Sequence, residues 1–190
     1  MSDTHSDDGT DAVVLDVLRH GRSDDDRAAF RRQQVGLAVA TDDFTLYEFV
    51  MSDGADVSIG DRVRVDPDPE SGIERVNVVD YEDLSAGAQS ELEYVVEELV
   101  EENEERYVDF FNDAQPISLR LHQLNLLPGI GDTLRDNILD ERKRGPFKSF
   151  EDLEERVSGL HDPKDTIVER VLQELRGEDV KYNAFVQTER

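Results

Sequence analysis

The apolar period of this chain changes once, at Leu84, and no other feature restricts the fold as much. Before it, apolar residues fall in short runs with β-type alternation: AVVLDVLR (12–19), VGLAVAT (35–41), FTLYEFVM (44–51), DRVRVD (61–66) and IERVNVVDY (73–81). Turn chemistry separates them, at Asp42-Asp43, Asp53-Gly54, Ile59-Gly60-Asp61 and Pro67-Asp68-Pro69. Five short strands with no helix-period segment clearly interrupting them predict a small β-barrel over residues 12–83, and Ile59-Gly60-Asp61-Arg62-Val63, a tight turn feeding a strand, is a weak signature shared by barrels of the OB and SH3-like kinds. From Leu84 onward the apolar positions step by three and four, through Ala88, Leu92, Val95, Leu99, Tyr107, Phe110 and Phe111, with glutamates between them. This predicts a connecting amphipathic helix over 84–115, with the Glu run from 97 to 105 as its solvated face. The expected fold class is therefore α+β, a five-stranded barrel followed by an all-α region over 116–190.

Within that last region Pro116 punctuates, and ISLRLHQLNLL (117–127) reads as a short helix ended by Pro128-Gly129. A second helix runs from Asp132 to about Arg144 and is closed by Gly145-Pro146. SFEDLEERV (149–157) opens on a good N-cap, Ser149, with Glu151 and Asp152 complementing the helix dipole. A final helix is expected from about Pro163 to Leu175, and the bulky tail KYNAFV (181–186) is expected to pack back on the domain.

Residues 1–11 are polar and acidic without periodicity, which predicts a disordered tail. Acidity extends through the whole chain: 46 Asp and Glu against 21 Lys and Arg give a formal net charge of −25. The acids are spread among periodic apolar segments, so the chain is expected to fold. A surface saturated with carboxylates and poor in lysine suits very high salt, because net charge keeps a protein in solution where salting-out is strong. On that halophilic reading, acidity reports habitat rather than partners. There is no cysteine, which excludes disulfides, thiolate metal sites and cysteine nucleophiles. His5, His20, His122 and His161 stand singly, with no pair at metal-ligand spacing, so no metal or cofactor is expected. No apolar run approaches the roughly 20 residues that span a bilayer, and the acidic N-terminus is unlike a signal peptide. A soluble cytoplasmic protein without a membrane partner is the expectation.

Chemistry concentrates in LPGIGDTLRDNILDERKRGPF (127–147). Gly129 and Gly131 permit turn conformations and let a bulky group approach the main chain, and the unpaired N–H groups opening the next helix form an anion site with its dipole. Ile130 between them is expected to plug the interhelical core. Such a site reads phosphate rather than base, so little sequence specificity follows. Local charge agrees: residues 112–150 carry five acids and six bases, whereas residues 1–111 carry thirty and nine. The candidate nucleic-acid contacts are Gly129, Ile130, Gly131, Asp132, Thr133, Arg135, Arg142, Lys143, Arg144 and Lys148. Arg22, Arg27, Arg31 and Arg32 extend the basic surface weakly.

LPGIGDTLRDNILDERKRGPFKSFEDL resembles the helix-hairpin-helix motif of non-specific nucleic-acid-binding proteins. SFEDLEERVSGLHDPKDTIVERVLQEL reads as a second, degenerate unit, with Gly159-Leu160-His161-Asp162-Pro163 in place of Gly-x-Gly. From DAVVLDVLRHG through ELEYVVEELVEENEERYVDFFNDAQPISLRLHQLNLLPGIG to KYNAFV, the chain is similar to an archaeal family classed as domain of unknown function 655. That resemblance implies an OB-like barrel joined to a tandem helix-hairpin-helix domain, and a nucleic-acid or nucleotide binder with no assigned reaction. One departure is Asp132, where such hairpins commonly carry lysine. An Asp there would cap its own helix with the donors a phosphate would use, and the hairpin would then be purely structural.

Other features weigh less. Phe44, Tyr47, Phe49 and Tyr81 form either a base-stacking face or, more ordinarily, core. His122 reads as a packing residue. Asp152 after Gly145-Pro146 has a faint likeness to glycosylases with a catalytic Asp, but the large helical domain of a base-flipping pocket is missing. A non-enzymatic nucleic-acid binder, RNA favoured over DNA, is the leading expectation, and the family resemblance implies a role near translation or ribosome maturation. The alternative is a protein-interaction module that docks a partner on its helical domain.

Overall fold

A computed structural model of the chain describes residues 9–22, 33–178 and 180–187. They form two compact units, one running up to Val95 and including Gln187, the other Val96–Val186.

The first unit holds strands β1 (Thr10–Leu18), β2 (Gln34–Ala40), β3 (Leu46–Met51), β4 (Arg62–Asp66) and β5 (Ile73–Val78). They make one curled antiparallel sheet in the order β4-β1-β2-β3-β5. Alternation sends Ala12, Val14, Ala38, Phe49, Met51, Val63, Val65 and Ile73 to one buried cluster. Gly36 lies opposite Phe49 in the β2–β3 register. A Cβ there would come within 2.2 Å of the Phe49 ring, so the glycine makes room for the largest side chain of the cluster.

Strand boundaries differ from the sequence reading where side chains intervene. Strand β1 begins at Thr10, two residues inside the expected acidic tail, because Thr10 and Asp11 pair with Asp66 and Arg64 and Arg64 Nε donates to Asp11 Oδ1 at 2.8 Å. The rest of the expected tail, residues 1–8, lies outside the described residues, as do Arg27, Arg31 and Arg32. Strand β3 starts two residues late, since the Asp43 carboxylate accepts the Thr45 N–H at 2.9 Å and holds Phe44 at φ 60°. Phe44 and Phe49 are fully buried, so they are core and supply no stacking face.

Five helices follow: α1 (Ala86–Glu102), α2 (Glu104–Asp113), α3 (Asp132–Arg142), α4 (Phe150–Arg156) and α5 (Pro163–Arg176). The single helix expected over 84–115 is in fact two. The break falls at Asn103, whose side-chain amide turns back to donate to the Leu99 carbonyl at 2.8 Å, a local bond that competes with helix propagation. Nor does the segment act only as a connector: Val96, Leu99, Val100, Tyr107, Val108 and Phe111 are buried and belong to the second unit.

The helix expected over 117–127 is likewise corrected. Only Gln123–Leu126 is helical, as one 3-10 turn. Before it, Pro116 and His122 form a bridge, and the Ser118 hydroxyl takes the Arg120 N–H at 3.3 Å, which diverts the backbone from a helix. The tail packs back as expected. The Phe185 ring lies 5.7 Å from Tyr107 and 4.9 Å from Phe110. The Glu174 carboxylate accepts the N–H groups of Ala184, Phe185 and Val186 and pairs with Arg170 Nε at 2.8 Å. Among the described residues no helix is long and apolar enough to cross a membrane.

Candidate nucleic-acid interface

The turn Leu127–Gly131 is built from two buried apolar residues and one left-handed glycine. Leu127 and Ile130 are 2% and 4% exposed, so Ile130 is the plug that its position between the glycines predicts. The Ile130 N–H donates to the Leu127 carbonyl at 3.2 Å, and closing that short loop puts Gly129 at φ 76°, where a side chain is strained.

Gly131 is different. Its φ of −83° and ψ of −173° are open to any residue, and a Cβ built on it would meet no heavy atom within 4 Å. Neither backbone nor packing requires glycine there. Gly131 is the N-cap of α3, and among the described residues no side chain accepts the N–H groups of the first turn. Asp132 does not cap the helix, contrary to the purely structural reading of the hairpin. Its side chain is 82% exposed and accepts from Arg135 Nη1 at 2.9 Å. Thr133 beside it is exposed. The start of α3 thus presents backbone donors and the positive end of a dipole to solvent, with the Asp132 carboxylate paired to the Arg135 guanidinium.

The predicted cations divide into groups with different roles. Arg135 is a brace: its guanidinium bonds Asp132, Asp136 and, at 3.3 Å, the side-chain oxygen of Asn125. Arg142 leaves the group altogether, because its Nη1 donates to the carbonyls of Phe111 and Ala114 at 3.2 and 3.0 Å. There it closes the C-terminal end of α2, a place the dipole favours for a cation. Lys143 and Arg144 are exposed and pair with Asp140 and Glu141 on their own helix. The Lys148 side chain is exposed and makes no ion pair among the described residues. Eleven residues of α3 at 1.5 Å each put about 16 Å between the hairpin donors and this basic end. One phosphate cannot touch both.

Two structural residues were not singled out by sequence reading. Asn125 donates to the Ile130 carbonyl at 3.2 Å and accepts the His122 N–H at 3.3 Å, which locks the 3-10 turn to the hairpin. Its place three residues after the cap His122 is the spacing of a reciprocal cap, the one sequence cue for it. Arg156 donates to the carbonyls of Glu141, Gly145 and Pro146 and sits 4.5 Å from the centre of the Phe147 ring. Nothing in a lone Arg156 announces that role. His122 is a cap as well as a packing residue: it is buried, and its Nδ1 accepts the Leu124 N–H at 3.1 Å. Burial first, then the charges of Arg142 and Arg135, hold its pKa below the ordinary histidine value. The Asp152 carboxylate is held below its usual range chiefly by the Lys148 N–H, and also by Arg156, which makes it a turn-closing acceptor.

A curled five-stranded antiparallel sheet leading to five helices, with a glycine turn that exposes one helix start, defines an α+β protein of two units. The chain belongs to the family described as "Protein of unknown function (DUF655)", whose model matches residues 8–187. It is 35% identical over 178 residues to an uncharacterised protein of Methanocaldococcus jannaschii, covering 93% of this chain and 79% of that one. It is also similar to the crystal structure of Af1531 from Archaeoglobus fulgidus, of the same family. That similarity has 37% identity and a TM-score of 0.83, and covers 94% of this chain and 99% of the other.

Proposed function

We propose that this protein binds nucleic acid, RNA ahead of DNA, by seating one backbone phosphate on the open start of α3. The observation that carries the reading is Gly131, a glycine that neither backbone conformation nor packing requires, at a helix N-terminus whose donors no side chain caps among the described residues. A phosphate that approaches the main chain supplies the missing reason for it. On this reading Gln123–Arg142 is a helix-hairpin-helix unit with a first helix shortened to a 3-10 turn. Residues 149–176 are its degenerate second copy, and the sheet is an OB-like barrel.

The acidic surface is an adaptation to concentrated salt in a cytoplasm. At molar salt the screening length is about 3 Å, so distant carboxylates barely oppose a phosphate, and short hydrogen bonds carry the contact. No step of chemistry is assigned to the site.

The test is Gly131→Val, measured by binding to labelled single- and double-stranded RNA and DNA in molar KCl. A valine side chain meets nothing in the protein near its Cβ, so the fold is retained, as circular dichroism would report. Binding is expected to weaken by roughly tenfold, the loss of one charge-assisted hydrogen bond. Wild-type protein that binds no nucleic acid while folded overturns the reading, and a folded variant that binds equally well removes the hairpin from it.

A further inference from the structure

We infer that the loop Pro116–Leu121 is a second contact element beside the α3 phosphate seat, with Leu119 packing against or between unpaired bases and Arg120 meeting the adjoining backbone. The preferred ligand is then a nucleic acid with exposed, unstacked bases rather than an uninterrupted duplex. This inference rests on the nucleic-acid reading above and specifies its ligand.

Charge distribution points to the loop first. From Ala114 to Gly131 the chain reads AQPISLRLHQLNLLPGIG, 18 residues without an acid, in a chain where 46 of 190 residues are Asp or Glu. No other stretch of the chain goes as long without one. It begins before the loop and ends at the phosphate seat, and it does not include the basic cluster at Arg142–Lys148. Carboxylates are absent along one continuous segment that contains both elements, as an anionic ligand crossing them requires.

Exposure is the second observation. Leu119 is fully solvent-exposed, at 106% of the reference area, and Ser118 and Arg120 beside it are exposed too. Among the described residues no acid pairs with the Arg120 guanidinium and no side chain accepts from it, whereas Arg135, Arg142, Lys143 and Arg144 are all engaged. The tip therefore presents one apolar group and one uncommitted planar cation.

The tip is also held firmly. The N–H groups of Ile117 and Ser118 both donate to the Leu121 carbonyl, at 2.8 and 3.0 Å, and Gln123 N–H donates to the Gln115 carbonyl at 3.0 Å. The Gln123 side chain returns a bond to the Gln115 N–H at 2.7 Å. Asn125 then joins the base of the loop to the Ile130 carbonyl, so loop and phosphate seat move as one piece. A fixed apolar tip is the form of a side chain that enters a base step or covers a splayed base, and such stacking tolerates any sequence. Apolar contact also survives salt that weakens ionic contact.

The experiment uses the full chain and a single-stranded RNA carrying 2-aminopurine, whose emission reports unstacking, against the same sequence as a continuous duplex. Wild type is expected to prefer the single strand and to change its emission on binding. Leu119→Ser should bind that strand roughly tenfold more weakly, lose the emission change and leave duplex binding unaltered. Arg120→Gln should weaken binding while keeping the emission change.

Leu119→Ser binding like wild type while Gly131→Val binds less overturns the inference and leaves the phosphate seat standing. Wild type that binds neither RNA overturns the inference, and wild type that binds no DNA either overturns both. If such protein also sediments as a dimer that Leu119→Ser dissociates, the loop is a contact between copies of the chain instead.

Discussion

Residues 127–131 and 157–161 are the same turn with two different exits. Each ends on a buried apolar plug, Ile130 at 4% and Leu160 at 3% exposure, and each follows another buried residue, Leu127 or Val157. In both, the plug's N–H donates to the carbonyl three residues back at 3.2 Å, and the residue before the plug is a left-handed glycine, Gly129 at φ 76° and Gly159 at φ 90°. They part company after the plug.

The first turn passes through Gly131 directly into α3 with its donors uncovered. The second passes through His161 and a left-handed Asp162 to Pro163, which has no N–H to offer, and the Glu154 carboxylate accepts the Asp162 N–H at 3.2 Å. Packing explains everything the two turns share. What packing leaves unexplained is the open helix start of the first, and that remainder is where function is sought.

Removing the plugs tests the shared part and has the largest expected effect. Ile130→Ala and Leu160→Ala should each cost about 2–5 kcal/mol, as lost burial plus a cavity, read from denaturant midpoints in concentrated KCl. A loss under 1 kcal/mol at one site alone would end the equivalence of the two turns. Asp132→Lys tests the difference. It replaces a carboxylate beside the open donors by a cation, so nucleic-acid affinity should rise by about fivefold, near 1 kcal/mol. The same change at Asp162, where Pro163 offers no N–H and Glu154 takes the Asp162 N–H, should leave affinity unchanged.

The smallest effect concerns His122, which anchors the first turn only. Its folded pKa lies below the ordinary value, and its Nδ1 must be unprotonated to accept the Leu124 N–H. The neutral ring therefore contributes stability that is whole above about pH 6.5 and is lost as pH falls from there through the folded value. His122→Asn keeps an acceptor without that titration. Between pH 7.5 and 5.5 the wild-type unfolding midpoint should fall more than the variant's.

Much of this was legible in the sequence, because period and turn chemistry are local. The five strands, the glycine turn, the Ser149 cap, which accepts the Asp152 N–H at 3.0 Å, and the returning tail all follow from nearby residues. The errors share a cause: a polar side chain outcompeted the pattern around it. Asn103 broke one helix and Ser118 helped divert another, and neither is a strong breaker by composition. Within the candidate site, backbone positions were readable and cations were not. Arg142 and Arg144 stand two residues apart, yet one faces the carbonyls of α2 and the other solvent. Helical phase within a second or third neighbour decides that, and charge counting cannot see it.

The three N–H groups of Ala184, Phe185 and Val186 that converge on the buried Glu174 also set an order of events during synthesis. Until those residues leave the ribosome, Glu174 has only Arg170 to answer its charge in the interior, and the aromatic contacts of Phe185 with Tyr107 and Phe110 are missing. The sheet, with its strands complete by Val78, can form early on the emerging chain. The helical unit waits for Ala184–Val186, and so the element proposed to hold nucleic acid is completed well after the sheet.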